Sequence, residues 1–370
     1  MAPLKAVRVL DLTNVLAGPF AAYQLHLLGA EVIKIESPNG DLARELGASP
    51  QASAAKMGLS FTAQNAGKQS IVLDLKSPAG KAEFLEHLAG ADVLLENFRP
   101  GVMARLGLDF QTLSQQFPRL IYCAISGFGQ TGELASRPAY DQIVQGYSGL
   151  MDITGHPDGP ATRAGFPISD TVGGLTAAMA ISAALNDRTR PHFIDVSMLE
   201  STLSTLGWAV SNWLQGGVAA QRLGNENMTS APSGAFSAAD GLINIAANQE
   251  VHWQRLCHAL DQVQWLQDPR FISRELRKAN RVELTQLLED VLRQQPRQHW
   301  IDRLAQADVP CGPVLSVQES LDLEQLKQRD FIDERFVPIA TNGFLYDGTR
   351  LKAQGPPPRL NEHGQDSTDE

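Results

Sequence analysis

Along the first half of the chain, short apolar runs alternate with longer stretches whose apolar residues recur at helical spacing. Short runs bounded by turn residues predict strands, and the helical spacing predicts helices. Residues 6–12, AVRVLDL, predict the first strand. Asn14 to Pro19 then turn into a helix, with Pro19 near the first helical position, where a missing N–H costs little. That helix carries Phe20, Leu25, Leu27 and Leu28 and stops at Gly29. A second strand, EVIKIE at 31–36, follows at once. Strand, helix and strand in so few residues predict a βαβ unit with parallel, right-handed pairing. The alternation continues with strands within 65–75 and at 91–96, 120–125 and 193–196. Helices are predicted over 78–88, 102–106, 141–150, an apolar Ala- and Gly-rich 170–186, and a long 197–215.

The pattern changes near Gly216 and Gly217. Residues 225–236, NENMTSAPSGAF, are polar and turn-rich, with Gly234 as their one glycine, so no glycine lid is expected there. A strand at 242–246 follows, then helical patterns over 250–260, 282–293 and 297–306. The fold expected is α/β: a Rossmann-like parallel-sheet large domain with a smaller, mostly helical second domain. The large domain would begin with residues 1–215, the small domain would span 225–315, and 316–370 would return to complete the first. The polar residues 361–370 are expected to fray.

Composition narrows the function. The chain has 370 residues, 43% hydrophobic and 19% charged, with 31 Lys+Arg against 41 Asp+Glu, a net of -10. Such acidity argues against a sequence-blind nucleic-acid binder and leaves any anionic ligand to local cations. Three scattered cysteines, Cys123, Cys257 and Cys311, fit a reducing cytosol better than a disulfide framework or zinc site. The N-terminus lacks the order of a signal peptide, and the longest apolar helical run is too short to span a bilayer, so a cytoplasmic protein with no membrane partner is expected. No GxGxxG follows the first strand, which argues against a nicotinamide-binding enzyme.

Candidate chemistry gathers at predicted strand ends. The strand at 120–125 empties into Ser126-Gly127-Phe128-Gly129-Gln130. In an open α/β sheet, ligands collect at the carboxyl ends of strands, and glycine lets a backbone approach them closely. Lys34, Arg44, Lys68, Arg99 and Arg105 lie at or near such ends and could together meet phosphates. Downstream, His156-Pro157-Asp158-Gly159-Pro160 is a turn whose Asp, by composition, is a solvated turn residue.

The series SGFGQTG, PAYD, GLMDITGHPDGPAT and DVSMLES resembles the class III coenzyme A transferases. That family includes formyl-CoA and carnitine CoA-transferases and, as cousins, the α-methylacyl-CoA racemases; the resemblance covers nearly the whole chain. It implies an acyl-CoA:carboxylate CoA-transferase that binds no metal and no permanent cofactor. Coenzyme A or acyl-CoA is then a substrate, and a small carboxylic acid is its partner. Asp158 would be the nucleophile, passing through a mixed anhydride and an aspartyl-CoA thioester. Leu16, Leu73, Asn97, Phe98, Arg105 and Phe128 would contact CoA. Where family members often carry Arg after the second strand, this chain has Ser37-Pro38. Glu200, Glu226 and Gln249 are candidates for the acyl pocket, and His156 for tuning the loop. The resemblance also implies a homodimer of two interlocked chains.

Two other readings stay open: a racemase, and a non-catalytic CoA-binding protein. A racemase needs two groups, one to remove and one to deliver the α-proton. Asp141 matches the acidic residue of that branch, but the position of its histidine falls on Gln111, and no His occurs between His87 and His156.

Overall fold

The computed structural model describes residues 2–364. Six strands form one sheet: β1 (Arg8–Asp11), β2 (Glu31–Glu36), β3 (Gln69–Val72), β4 (Val93–Glu96), β5 (Ile121–Ser126) and β6 (His192–Ser197). Their order is β3-β2-β1-β4-β5-β6, and every pairing is parallel. The register runs from Arg8↔Glu31 between β1 and β2 and from Val93↔Ile121 between β4 and β5. Successive strand residues point to opposite faces, so the central strands β2, β1, β4 and β5 each feed two cores. Val9, Leu95 and Cys123 pack with Ala21, Leu25, Ala177 and Ile181 on one face. Leu10, Leu94 and Tyr122 pack with Phe84, Leu88 and Leu113 on the other. Burial on both faces explains why the strands read as continuous apolar runs.

The helix Ile168–Ala184 lies close against the helix Ala17–Leu27 because glycine permits it. A Cβ on Gly174 would fall 2.5 Å from the Ala17 carbonyl oxygen. The single helix expected over 197–215 is instead two, Met198–Thr205 and Trp208–Gly216. Gly207, at φ +42°, breaks it. The helix expected over 141–150 stops at Tyr147, followed by Gly149 at φ +76°. Short helices at Pro50–Ala54, Leu59–Asn65 and Phe110–Gln116 had no strong apolar period to announce them.

Contacts divide the chain into two units: Met1–Met151, Arg163–Ala219 and Glu324–Glu370 in the first, Asp152–Thr162 and Ala220–Leu323 in the second. The second unit carries a three-stranded antiparallel sheet in the order β7-β8-β9: β7 (Ser233–Ala238), β8 (Gly241–Ala246) and β9 (Cys311–Pro313). Helices still make up most of its regular structure, as expected, and the sheet adds β7 and β9 to the one strand expected over 242–246. β7, SGAFSA, is built largely of small residues and gave no alternation to read. The helices Glu250–Ala259, Arg281–Leu292 and Arg297–Gln306 close a core of Ile243, Ile245, Trp253, Leu256, Leu288 and Trp300. The short segment Asp152–Thr162 was expected with the large domain but groups with this unit. Gly224 N–H donates to the Gly155 carbonyl at 2.9 Å, and Arg222 donates to the Asp152 carbonyl at 2.7 Å.

The end of the chain is tied back to the first unit. Gly67 N–H donates to the Pro356 carbonyl at 3.0 Å, and Gln354 N–H to His26 Nε2 at 3.1 Å. Fraying was expected over 361–370, of which residues 365–370 lie outside the described residues. Residues 361–364 are anchored instead: Val72 N–H donates to Asn361 Oδ1 at 2.8 Å, and His363 N–H to the Ser70 carbonyl at 3.0 Å.

Candidate functional site

Strand order reverses between β1 and β4, where an open α/β sheet leaves a crevice beyond its carboxyl ends. A cavity of about 270 Å³ opens there, lined among others by Leu16, Asn97, Phe98, Ser126, Tyr140 and Asp170. A second, of about 250 Å³, is lined by Leu73, Val102 and Leu106 and shares Asn14 and Phe98 with the first. Asn97 braces the first wall by a reciprocal amide pair. Asn14 N–H donates to Asn97 Oδ1, and Asn97 Nδ2 donates to the Asn14 carbonyl, both at 2.9 Å. Phe98 is held from below, its N–H donating to Glu96 Oε2 at 2.8 Å. Burial pushes the Glu96 carboxyl up to about 7.

The cations expected near phosphates separate into two groups. Lys34, Arg44 and Lys68 are fully buried and already paired. Lys34 Nζ lies 2.9 Å from Asp41 Oδ2, Lys68 Nζ 2.8 Å from Asp11 Oδ2, and Arg44 grips Glu36 through two nitrogens at 2.6 and 2.7 Å. Arg44 also lies over the Phe61 ring, 3.7 Å from its centroid. Burial opposes charge at Asp11, but Lys68 and Lys34 outweigh it and hold the carboxyl down at about 2. None of these three is available to a nucleotide. Arg99 and Arg105 are exposed, and Arg99 lines the first cavity. The sequence showed five similar cations, because burial of a charged side chain has no local signature.

The other expected contacts scatter. Leu16, Leu73, Asn97 and Phe98 meet on the two cavities. Arg105 sits in the short helix Val102–Leu106, exposed. Phe128 is buried against Tyr147, ring centroids 5.0 Å apart, rather than on a cavity wall. Asp158 and His156 are both exposed in the second unit, in a turn closed by Gly159 N–H donating to the His156 carbonyl at 3.0 Å. Glu200 and Gln249 are exposed, and Glu226 is committed to Arg281 at 2.8 Å and Thr285 at 3.1 Å.

Asp141 has a structural task. Its Oδ1 accepts from Ser169 N–H at 2.8 Å, capping the helix Ile168–Ala184, and its Oδ2 accepts from Gln145 at 2.6 Å. Asp170, in the first turn of that helix, was not singled out from sequence. It is half-buried on the first cavity's wall. Burial, with the Asp141 charge adding to it, pushes its carboxyl up to about 7. The available signal was one carboxylate opening an otherwise apolar helix. On the same wall, the buried Ser126 hydroxyl has no hydrogen-bond partner within the protein. Among the described residues, no group of three or more His, Cys, Asp or Glu could hold a metal ion.

A strand-end crevice with one perturbed carboxylate and an unpaired hydroxyl suits covalent chemistry on an acyl group, without saying which. Comparison with known proteins supplies the class. The family described as "CoA-transferase family III" matches residues 4–364. An acetyl-CoA:oxalate CoA-transferase of Acetobacter aceti is 42% identical, over 95% of this chain and 90% of its own length. A succinate–glutarate CoA-transferase of Agrobacterium fabrum is 36% identical, over 98% of this chain and 94% of its own. A crystal structure of a CAIB/BAIF family protein from Brucella suis superposes with a TM-score of 0.87 at 34% identity, covering 98% of this chain and 97% of that one. This chain therefore belongs to CoA-transferase family III and is a CoA-transferase.

Proposed function

We propose that the protein moves coenzyme A between two carboxylic acids, with Asp170 as the nucleophile. The observation that carries this is the half-buried Asp170 carboxylate on the wall of the switch-point cavity, pushed up to about 7. A carboxylate of raised basicity is a better nucleophile than a solvated one, yet is still ionised at mildly alkaline pH. It attacks the thioester carbonyl, the C–S bond breaks, and CoA leaves as thiolate from a mixed anhydride. The thiolate then attacks the Asp170 side of that anhydride, releasing the donor acid and leaving an aspartyl-CoA thioester. The acceptor carboxylate repeats both steps in reverse. Ser126 offers an unused hydroxyl donor to the substrate oxygen. Asp158, the nucleophile expected from sequence, is an exposed turn residue. The pantetheine and nucleotide lie along Leu16, Leu73, Asn97 and Phe98, beside the helix Val102–Leu106 that carries the exposed Arg105.

Racemisation is the weaker reading. Both Asp141 oxygens are engaged, Oδ1 in capping and Oδ2 with the Gln145 amide, and Gln111 is an exposed amide that cannot act as a base. Two copies of the chain form the interlocked dimer. Trp208, Trp213, Leu214 and Val218 are each more than half exposed, an apolar load that a partner chain would cover. No helix among the described residues is long and apolar enough to cross a membrane. The test is a panel of acyl-CoA donors and acids, read by chromatography of the CoA esters. New CoA esters with wild type, and none with Asp170→Ala, is the expected result. Exchange at a normal rate by Asp170→Ala would remove the nucleophile assignment.

A further inference from the structure

The turn after β1 is held by charges that no solvent reaches. Val15 has φ of +68°, a left-handed backbone that is an outlier for a β-branched residue. Such a conformation persists only where its surroundings over-determine it. Val15 N–H donates to Asp41 Oδ1 at 2.9 Å, an oxygen that also accepts from Ala43 N–H at 2.9 Å. The other oxygen, Oδ2, lies 2.9 Å from Lys34 Nζ, in an ion pair without a well-directed hydrogen bond and with both side chains fully buried. Lys34 Nζ in turn donates to the Thr13 carbonyl at 2.6 Å. The cation thus grips Thr13 while its anion grips Val15. Asp11 accepts from Thr13 N–H at 2.9 Å, and its partner Lys68 donates to the Pro19 carbonyl at 3.0 Å, so the far end is held as well.

A buried ion pair is poor evidence for stability, because apolar replacements of similar volume often serve as well. Its worth here is geometric. Val15, Leu16 and Ala17 line the switch-point cavity, whereas Asp41 is not on its wall. We infer that Asp41, anchored by Lys34, is a positioning residue: it holds Val15 in the left-handed conformation and so fixes the 14–17 wall against which acyl-CoA binds. This rests on reading that cavity as the acyl-CoA site. Glycine adopts positive φ without the penalty, so Val15→Gly would make the clamp unnecessary.

The experiment is a cycle of wild type, Asp41→Asn, Val15→Gly and the double variant. Each is measured for KM and kcat toward an acyl-CoA donor, and for melting temperature. Asp41→Asn is expected to raise KM about tenfold with a smaller change in kcat, and the double variant to recover most of that loss. The melting temperature lost through Asp41→Asn is expected to be smaller when residue 15 is Gly, a reading that needs no activity. Should Asp41→Asn alone fail to fold, the double variant is expected to fold and to hold KM within about threefold of Val15→Gly. An unchanged KM in folded Asp41→Asn, or a loss equally large on both backgrounds, overturns the inference. An inactive wild type would count against the proposed function instead, and the melting cycle would still decide this inference.

Discussion

Replacing Asp170 by Asn should stabilise the protein, and only where the carboxylate is ionised. The folded carboxyl titrates at about 7, against 3.8 for the free side chain. Between these values the folded state binds a proton that the unfolded state has released. Stability therefore falls as pH rises from about 4 to 7, and is level above. A shift of about three units corresponds to about 4 kcal/mol if fully expressed. Asp170 is only half-buried, so solvent screening reduces this to about 1–2 kcal/mol. The amide removes the charge at nearly constant volume. It should raise the melting temperature by a few degrees at pH 8, by less at pH 5, and hardly at all near pH 4. Scanning fluorimetry of both proteins across pH 4–9 measures the difference, in which all other titrations cancel. A gain that is independent of pH, or a wild type that is the more stable protein at pH 8, would refute the assignment of a raised carboxyl.

Three further outcomes follow from the same geometry. If the ionised Asp170 is the nucleophile, kcat/KM should climb about tenfold per pH unit below its midpoint near 7 and level off above it, as a pH-rate profile would show. Arg105→Ala should raise KM for acyl-CoA about three- to tenfold with kcat nearly unchanged, since an exposed cation contributes uniform binding at most; a steady-state series at two salt concentrations checks it. Light scattering at micromolar concentration should give twice the mass of one chain, and a monodisperse monomer would remove the dimer.

The parallel sheet was legible because strands buried on both faces are continuous apolar runs, as in β4 and β5. The helix break at Gly207 was not, because one glycine inside an apolar helical period does not reveal its φ. β7 was hidden by small residues that carry no alternation. Leu16, Asn97 and Phe98, expected from motif and position, line one cavity. Lys34, Arg44 and Lys68 misled because their partners Asp41, Glu36 and Asp11 meet them only through the fold. The raised carboxyl of Asp170 was not legible for the same reason. Its burial comes from the packing of its helix against the strand ends, whereas Asp158 sits in a turn that residue types alone make conspicuous.

The most direct measurement locates the covalent intermediate. The protein is incubated with an acyl-CoA donor, treated with hydroxylamine, digested with trypsin and analysed by mass spectrometry. Cleavage after Arg163 and Arg188 puts Asp170 in the peptide AGFPISDTVGGLTAAMAISAALNDR, where fragment ions separate it from Asp187, apart from the preceding peptide that carries Asp158. A hydroxamate on Asp170, dependent on the donor and absent from Asp170→Ala, is the predicted result. A hydroxamate on Asp158, with Asp170 unmodified, would contradict it.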